Sequence, residues 1–156
     1  TMEDIEGDFY IDEETEETIY PGFIPRPTDQ RVNFSLFFQD YLPGNPNYKM
    51  HLSMMYGTGI SFGPPKSDKY QDILRMPDYR RVDIGFSAVI KDEDKKSKVN
   101  LLNKLNSMWI SVEVFNLLDI DNTVSYLWVA DVSGRQYAVP NYLTPRQLNF
   151  KLIVSL

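Results

Sequence analysis

The sequence predicts an all-β fold of long antiparallel strands, a sector of a transmembrane β-barrel. Two features of the chain predict it, and the way it ends adds a third. Five segments of about ten residues alternate apolar and polar side chains with a period of two. The connections between them alternate in length, long ones at one end of the strands and shorter ones at the other. The fifth segment runs to Leu156, although the termini of soluble domains tend to fray. At roughly 3.4 Å per residue and ~45° tilt, ten residues cover about 24 Å, the height of a barrel's lipid-facing band. Strands of soluble proteins are typically only about 5–6 residues long.

In the first segment Val32, Phe34, Leu36 and Phe38 alternate with Arg31, Asn33, Ser35, Phe37 and Gln39. In the second, Leu52, Met54, Tyr56, Thr58 and Ile60 alternate with His51, Ser53, Met55, Gly57 and Gly59. The third sets Val82, Ile84, Phe86, Ala88 and Ile90 against Arg81, Asp83, Gly85, Ser87 and Val89. The fourth sets Met108, Ile110, Val112 and Val114 against a mixed face of Trp109, Ser111, Glu113 and Phe115. The fifth sets Leu148, Phe150, Leu152, Val154 and Leu156 against Asn149, Lys151 and Ser155, with Ile153 the exception. Long connections are expected at about 5–28, 61–80 and 119–146, and shorter turns at about 41–49 and 92–106. Within the last long connection Thr123 to Val132 reads as strand, Ser133-Gly134 as a turn, and Gln136 to Pro140 as its return. A short run from Val99 to Leu105 reads as helical.

Composition narrows the function classes. Residues 1–25 hold nine acids and no Lys or Arg, so the net −6 describes that segment; in the rest of the chain 16 bases outnumber 13 acids. A mildly basic body without a basic stripe argues against nucleic acid as a partner. There is no cysteine, which removes disulfides and thiolate metal sites. No apolar run is long enough for a spanning helix, but barrel strands are half polar and escape that test. Ten tyrosines suit interfacial girdles. The chain starts at Thr1 without a signal peptide, and is read as a processed piece or an excised fragment.

Val112-Glu113-Val114-Phe115-Asn116-Leu117-Leu118-Asp119 resembles the strand bearing an Asn-Leu-Phe/Leu-Asp motif near the end of TonB-dependent outer-membrane receptors. In that family a long loop, a short Gly-Arg element and a last amphipathic strand follow; here Tyr142 to Arg146 and Leu148 to Leu156 correspond. Gly22 to Arg31, Phe38 to Pro46 and Tyr79 to Ser87 are similar to receptors of Bacteroidetes-type bacteria. Two departures stand out: Pro145 precedes Arg146 where Gly is usual, and the chain ends on Leu156 where an aromatic is usual. The resemblance covers residues 1–156 but only the C-terminal part of a receptor. It implies about the last five or six strands of a 22-stranded barrel in the outer membrane of a Gram-negative bacterium, with residues 1–7 as the stub of a sixth. It implies energy-coupled import of a bulky nutrient, without covalent chemistry and without a cofactor. The implied partners are the remaining N-terminal barrel and plug, outer-membrane lipid and an inner-membrane energy transducer; a surface lipoprotein over the loops is left open.

Candidate functional residues follow from these faces. Tyr126, Trp128, Arg135, Tyr137 and Tyr142 gather in the longest connection, where rings with an apolar face and a polar edge suit ligand recognition. Packing within the hairpin competes with that role. Arg31, Arg81, Asp83, Glu113 and Lys151 are expected on inward faces, and Asp83, Glu113 and Lys151 could form a cross-strand charge ladder. His51, the one histidine, cannot build a triad or a histidine metal site alone, and is expected to hydrogen-bond in the lumen. The acidic run Asp8 to Glu17 lacks calcium-loop spacing and reads as solvated. Gly57 and Gly59, with no helix following, read as relief of crowding in the barrel wall. No nucleophile, base and orienting group come together, so no enzyme is expected. The competing reading is a soluble or surface β-sandwich that binds carbohydrate or protein. It predicts the apolar faces packed on each other.

Overall fold

The computed structural model describes residues 2–4, 9–12, 15–64, 73–92 and 105–155. Asp8, Glu13 and Glu14 of the acidic run, the 93–104 stretch with the expected helical turn, and Leu156 lie outside them. The described residues form antiparallel sheets and no helix. The strands are β1 (Met2–Asp4), β2 (Tyr10–Ile11), β3 (Thr18–Ile19), β4 (Phe23–Pro25), β5 (Asn33–Leu42), β6 (Asn45–Gly57), β7 (Ser61–Phe62), β8 (Leu74–Arg75), β9 (Tyr79–Lys91), β10 (Ser107–Phe115), β11 (Thr123–Ala130), β12 (Gln136–Tyr142) and β13 (Gln147–Ser155).

They divide into two units. One comprises Phe34–Tyr56, Arg80–Asp121 and Thr144–Leu156. It is built on a five-stranded meander in the order β13-β10-β9-β6-β5. These are the five periodic segments. The two-residue alternation forms strands because each places one apolar and one polar row on opposite sides of the pleat. The strands run 10, 13, 13, 9 and 9 residues from β5 to β13.

The first short connection is tighter than the expected 41–49. Residues 41–42 and 45–49 are strand, and the chain reverses on Pro43-Gly44 alone. Proline presets the first corner, and Gly44 takes a φ of 76°. β10 and β13 pair without interruption from Ser107↔Ser155 to Phe115↔Gln147. β10 and β9 pair from Val114↔Ile84 to Met108↔Lys91, with a bulge at Ile90.

The other unit comprises Thr1–Asn33, Gly57–Tyr79 and Asn122–Leu143, the substance of the three long connections. It holds four two-stranded sheets, β1-β4, β2-β3, β7-β8 and β11-β12. Met2–Asp4 therefore pairs with Phe23–Pro25, and is not a sixth strand of the meander. Ile24, 5% exposed, is the one buried apolar side chain among the described residues.

Candidate functional site

The five-stranded sheet has two unlike faces. On one, Leu148↔Val114↔Ile84, Phe150↔Val112↔Phe86 and Leu152↔Ile110↔Ala88 form three apolar rows across β13, β10 and β9. Leu148, Phe150 and Leu152 are 60%, 67% and 57% exposed, and Phe86, Ile110, Met54, Phe34, Leu36 and Phe38 are exposed as well. Tyr48 extends the Phe86 row onto β6, with ring centroids 5.7 Å apart.

On the other face the polar groups hold each other. Ser87 and Ser111, paired across β9 and β10, are 2.8 Å apart at their hydroxyls, and Ser111 is buried. The next row is Gly85↔Glu113↔Asn149, where Asn149 Nδ2 donates to Glu113 Oε2 at 2.9 Å. His51 lies over Gly85. A methyl group built there would sit 2.1 Å from His51 Cε1, so only glycine admits the ring. Phe37 leans on the same ring at 6.2 Å. Among the described residues His51 is held by packing, not by the expected hydrogen bond.

The expected lumenal charges are placed as follows. Arg81 Nε donates to both oxygens of Asp83, at 2.8 and 3.0 Å. The Asn116 amide donates to Asp83 Oδ1 at 2.8 Å. Glu113 faces Asn149, and Lys151 stands opposite Ser111, so Asp83, Glu113 and Lys151 do not form a ladder. The two-residue period put all three on one face, but pairing offset Lys151 from Glu113 by one row. Arg31 precedes β5 and belongs to the other unit; its amide donates to Thr58 Oγ1 at 2.9 Å.

The aromatic candidates of the long connection also separate. β11 and β12 form a hairpin with Tyr126↔Pro140, Trp128↔Ala138 and Val129↔Tyr137. Tyr126 and Trp128 share the half-buried side, where Phe62 stacks on Tyr126 at 4.3 Å and 6° and lies 6.2 Å from Trp128. One face of the Tyr126 ring is therefore already occupied. Tyr137 lies on the exposed side with Leu127, Val129 and Val139. Arg135 is in the turn, where its amide donates to Asp131 Oδ1, and Tyr142 ends β12, exposed. The five do not converge on one pocket.

Asp131 organises that turn. Its Oδ1 accepts from the Ser133 hydroxyl at 2.7 Å, the Ser133 amide at 2.8 Å and the Arg135 amide at 2.9 Å. The Ser133 hydroxyl, then the two amides and the Tyr137 hydroxyl, hold its carboxyl below the ordinary 3.8.

Sequence reading assigned no role to the residues that clamp the other connections. Asn116, 3% exposed, turns the chain at φ 51°. Its side chain donates to Ile120 O at 3.0 Å and accepts from the Ile120 amide at 3.2 Å. Asp119, at φ 56°, accepts from the Arg146 amide and guanidinium at 2.9 and 3.0 Å. Those two hydrogen bonds, amide first, hold the Asp119 carboxyl below its usual value. The motif quoted for its resemblance is thus a latch that ends β10 and starts β13. In the other unit, buried Asp29 pairs with Arg75, which also donates to Gly59 O at 3.0 Å. Gly57, the last residue of β6, makes room for the Gln30 side chain, and Gly59 for the Met76 carbonyl. The Asn-Leu-Leu-Asp spacing was the one available cue to the latch; nothing local pairs Asp29 with Arg75.

No group of three or more metal-ligating side chains is present among the described residues. Comparison of the chain with protein-family models, with curated proteins and with solved structures finds no match.

Proposed function

We propose that the chain is the C-terminal sector of a TonB-dependent outer-membrane receptor and serves energy-coupled import of a bulky nutrient. The observation that carries this reading is the inverted polarity of the five-stranded sheet. Its apolar rows are open, while its serines, Glu113 and Asn149 close on one another. Water-facing sheets do the reverse, and a lipid-facing wall requires this order. The resemblance of Val112 to Asp119 and of Tyr142 to Arg146 supports the family assignment. The 22-strand count rests on that resemblance alone. Among the described residues β5 and β13 each leave one edge unpaired, which hydrocarbon does not permit, so in this reading the wall is completed by the rest of the receptor.

The chain has no cysteine, so introduced thiols are unique in it. Leu152→Cys and Lys151→Cys are made in the intact protein in its own cell envelope. A fluorophore attached at position 152 is quenched by brominated acyl chains, and in unlabelled protein the free thiol there is shielded from aqueous maleimide; position 151 behaves oppositely. Free aqueous reaction at 152, with the protein in the soluble fraction, overturns the proposal in favour of a carbohydrate- or protein-binding sandwich.

A further inference from the structure

We infer that the outer face of the β11-β12 hairpin pairs with the same face of a second copy of this chain, about a two-fold axis parallel to its strands. The hairpin has two unlike sides. Phe62 covers the side of Tyr126 and Trp128. The other side carries Leu127↔Val139 and Val129↔Tyr137, which are 65%, 46%, 45% and 53% exposed. The ribbon is a sheet of its own and its turn is charged, so hydrocarbon is no covering for this patch. At the tip the Asp131 amide donates to Arg135 O at 2.9 Å, so the ladder runs on and sets Asp131 opposite Arg135. Two residues beyond Val129 and two before Tyr137, both fall on the open side. The Tyr137 hydroxyl, 3.5 Å from Asp131 Oδ2, marks that same side. The base of the hairpin is neutral: Asn141 Nδ2 donates there to Ser125 Oγ at 3.4 Å.

Charge selects the occupant. Asp131 Oδ1 is filled by Ser133 and the Arg135 amide, while Oδ2 has only the long contact from Tyr137. The Arg135 guanidinium makes no ion pair with Asp131 or with any other described residue, so its fork of donors is open. Two such faces pack about 10 Å apart, and an axis along the strands lays β11 of one copy over β12 of the other. Val129 then meets the second copy's Tyr137, Leu127 meets its Val139, and Arg135 meets its Asp131. Symmetry makes each contact twice, and the guanidinium fork suits the open carboxylate oxygen. A two-fold axis across the strands would instead lay Arg135 over Ser125 and Asn141, where no charge answers it. Four apolar residues a side are few beside the roughly 20–30 residues of a standard interface, so the pairing is reversible.

V129C and Y137C are made separately in the intact protein, on differently tagged copies, and oxidised together in the host cells. The V129C–Y137C disulfide should be the main dimer on a non-reducing gel. V129C with L127C reports the axis across the strands, and should link poorly. Dissociation of the purified intact protein is then followed by sedimentation. R135E should weaken pairing at least about tenfold, and R135K less than about threefold. R135Q and D131N should each weaken it about threefold to tenfold, and together no more than either alone, since each breaks the same pair. Unchanged hydrogen exchange at the Ser133 amide shows that the turn survives in each variant. Equal pairing by R135E, additive losses in R135Q with D131N, or V129C–L127C as the main product overturns the proposal. Linkage of V129C only to a different protein also overturns it. The pairing uses the hairpin alone and goes beyond the membrane reading: a monomer shown to sit in lipid overturns this pairing and leaves that reading intact.

Discussion

Gly85 and His51 show how one missing Cβ sets a row. The ring occupies the space a side chain would fill, so Gly85→Ala must expel it. The expected cost is about 1–3 kcal/mol, read from the urea midpoint of unfolding. If the clash is with the ring alone, the loss shrinks when His51→Ala is added, and a double-mutant cycle measures the coupling. Asp131 acts on a smaller scale. Its folded pKa lies below the ordinary 3.8, so the order it lends the turn is complete above that value and is lost as pH falls through the folded pKa. Hydrogen exchange at the Ser133 and Arg135 amides should accelerate across that window and stay level from pH 5 to 8, apart from intrinsic base catalysis. Neither residue could be read from sequence. A glycine in an alternating segment says only that something approaches it, and an aspartate before Ser-Gly is ordinary turn chemistry.

At the level of elements, the five long strands were legible because each repeats its period over four or five turns of the pleat. Their ends were less so. Asn45-Pro46-Asn47 carries turn residues but is strand, since Pro43-Gly44 completes the reversal by itself. The two- and three-residue strands β1 to β4, β7 and β8 were invisible, being too short to show a period. The latch was half legible: its motif was seen, but its partner Arg146 lies 27 residues away. Asn116→Ala loses two hydrogen bonds to Ile120 and strains a left-handed backbone, and should cost about 2–4 kcal/mol. Asn116→Gly keeps the backbone freedom, and the difference between the two variants in urea unfolding isolates the conformational part. On β13 the two faces predict opposite tolerances. Phe150→Arg should cost about 2–4 kcal/mol if it sits near mid-bilayer, whereas Lys151→Gln should be nearly neutral. Outer-membrane assembly yield of the intact protein distinguishes them.

For the whole molecule, the chain divides into two units, one built on the five-stranded sheet and one on four two-stranded sheets. The candidate ligand residues did not assemble as expected. Alternation assigns side chains to faces, but only the hairpin register decides that Tyr126 and Trp128 turn one way and Tyr137 the other. With a single buried apolar side chain among its described residues, this polypeptide has almost no interior on which to fold alone. Produced by itself in water it should sediment as aggregate. If the proposed receptor is right, adding the rest of it together with lipid vesicles should make the chain protease-resistant, as read by gel electrophoresis after trypsin.

Ile90 is an extra residue in β9, unmatched on β10 between Val89↔Trp109 and Lys91↔Met108. Such an insertion increases local coiling and bends the strand that carries it. A ribbon with a built-in bend does not lie flat beside its neighbours. Excising Ile90 would leave both flanking pairs intact and remove that bend, so the curvature of the sheet, more than the strength of pairing, is what this one residue supplies.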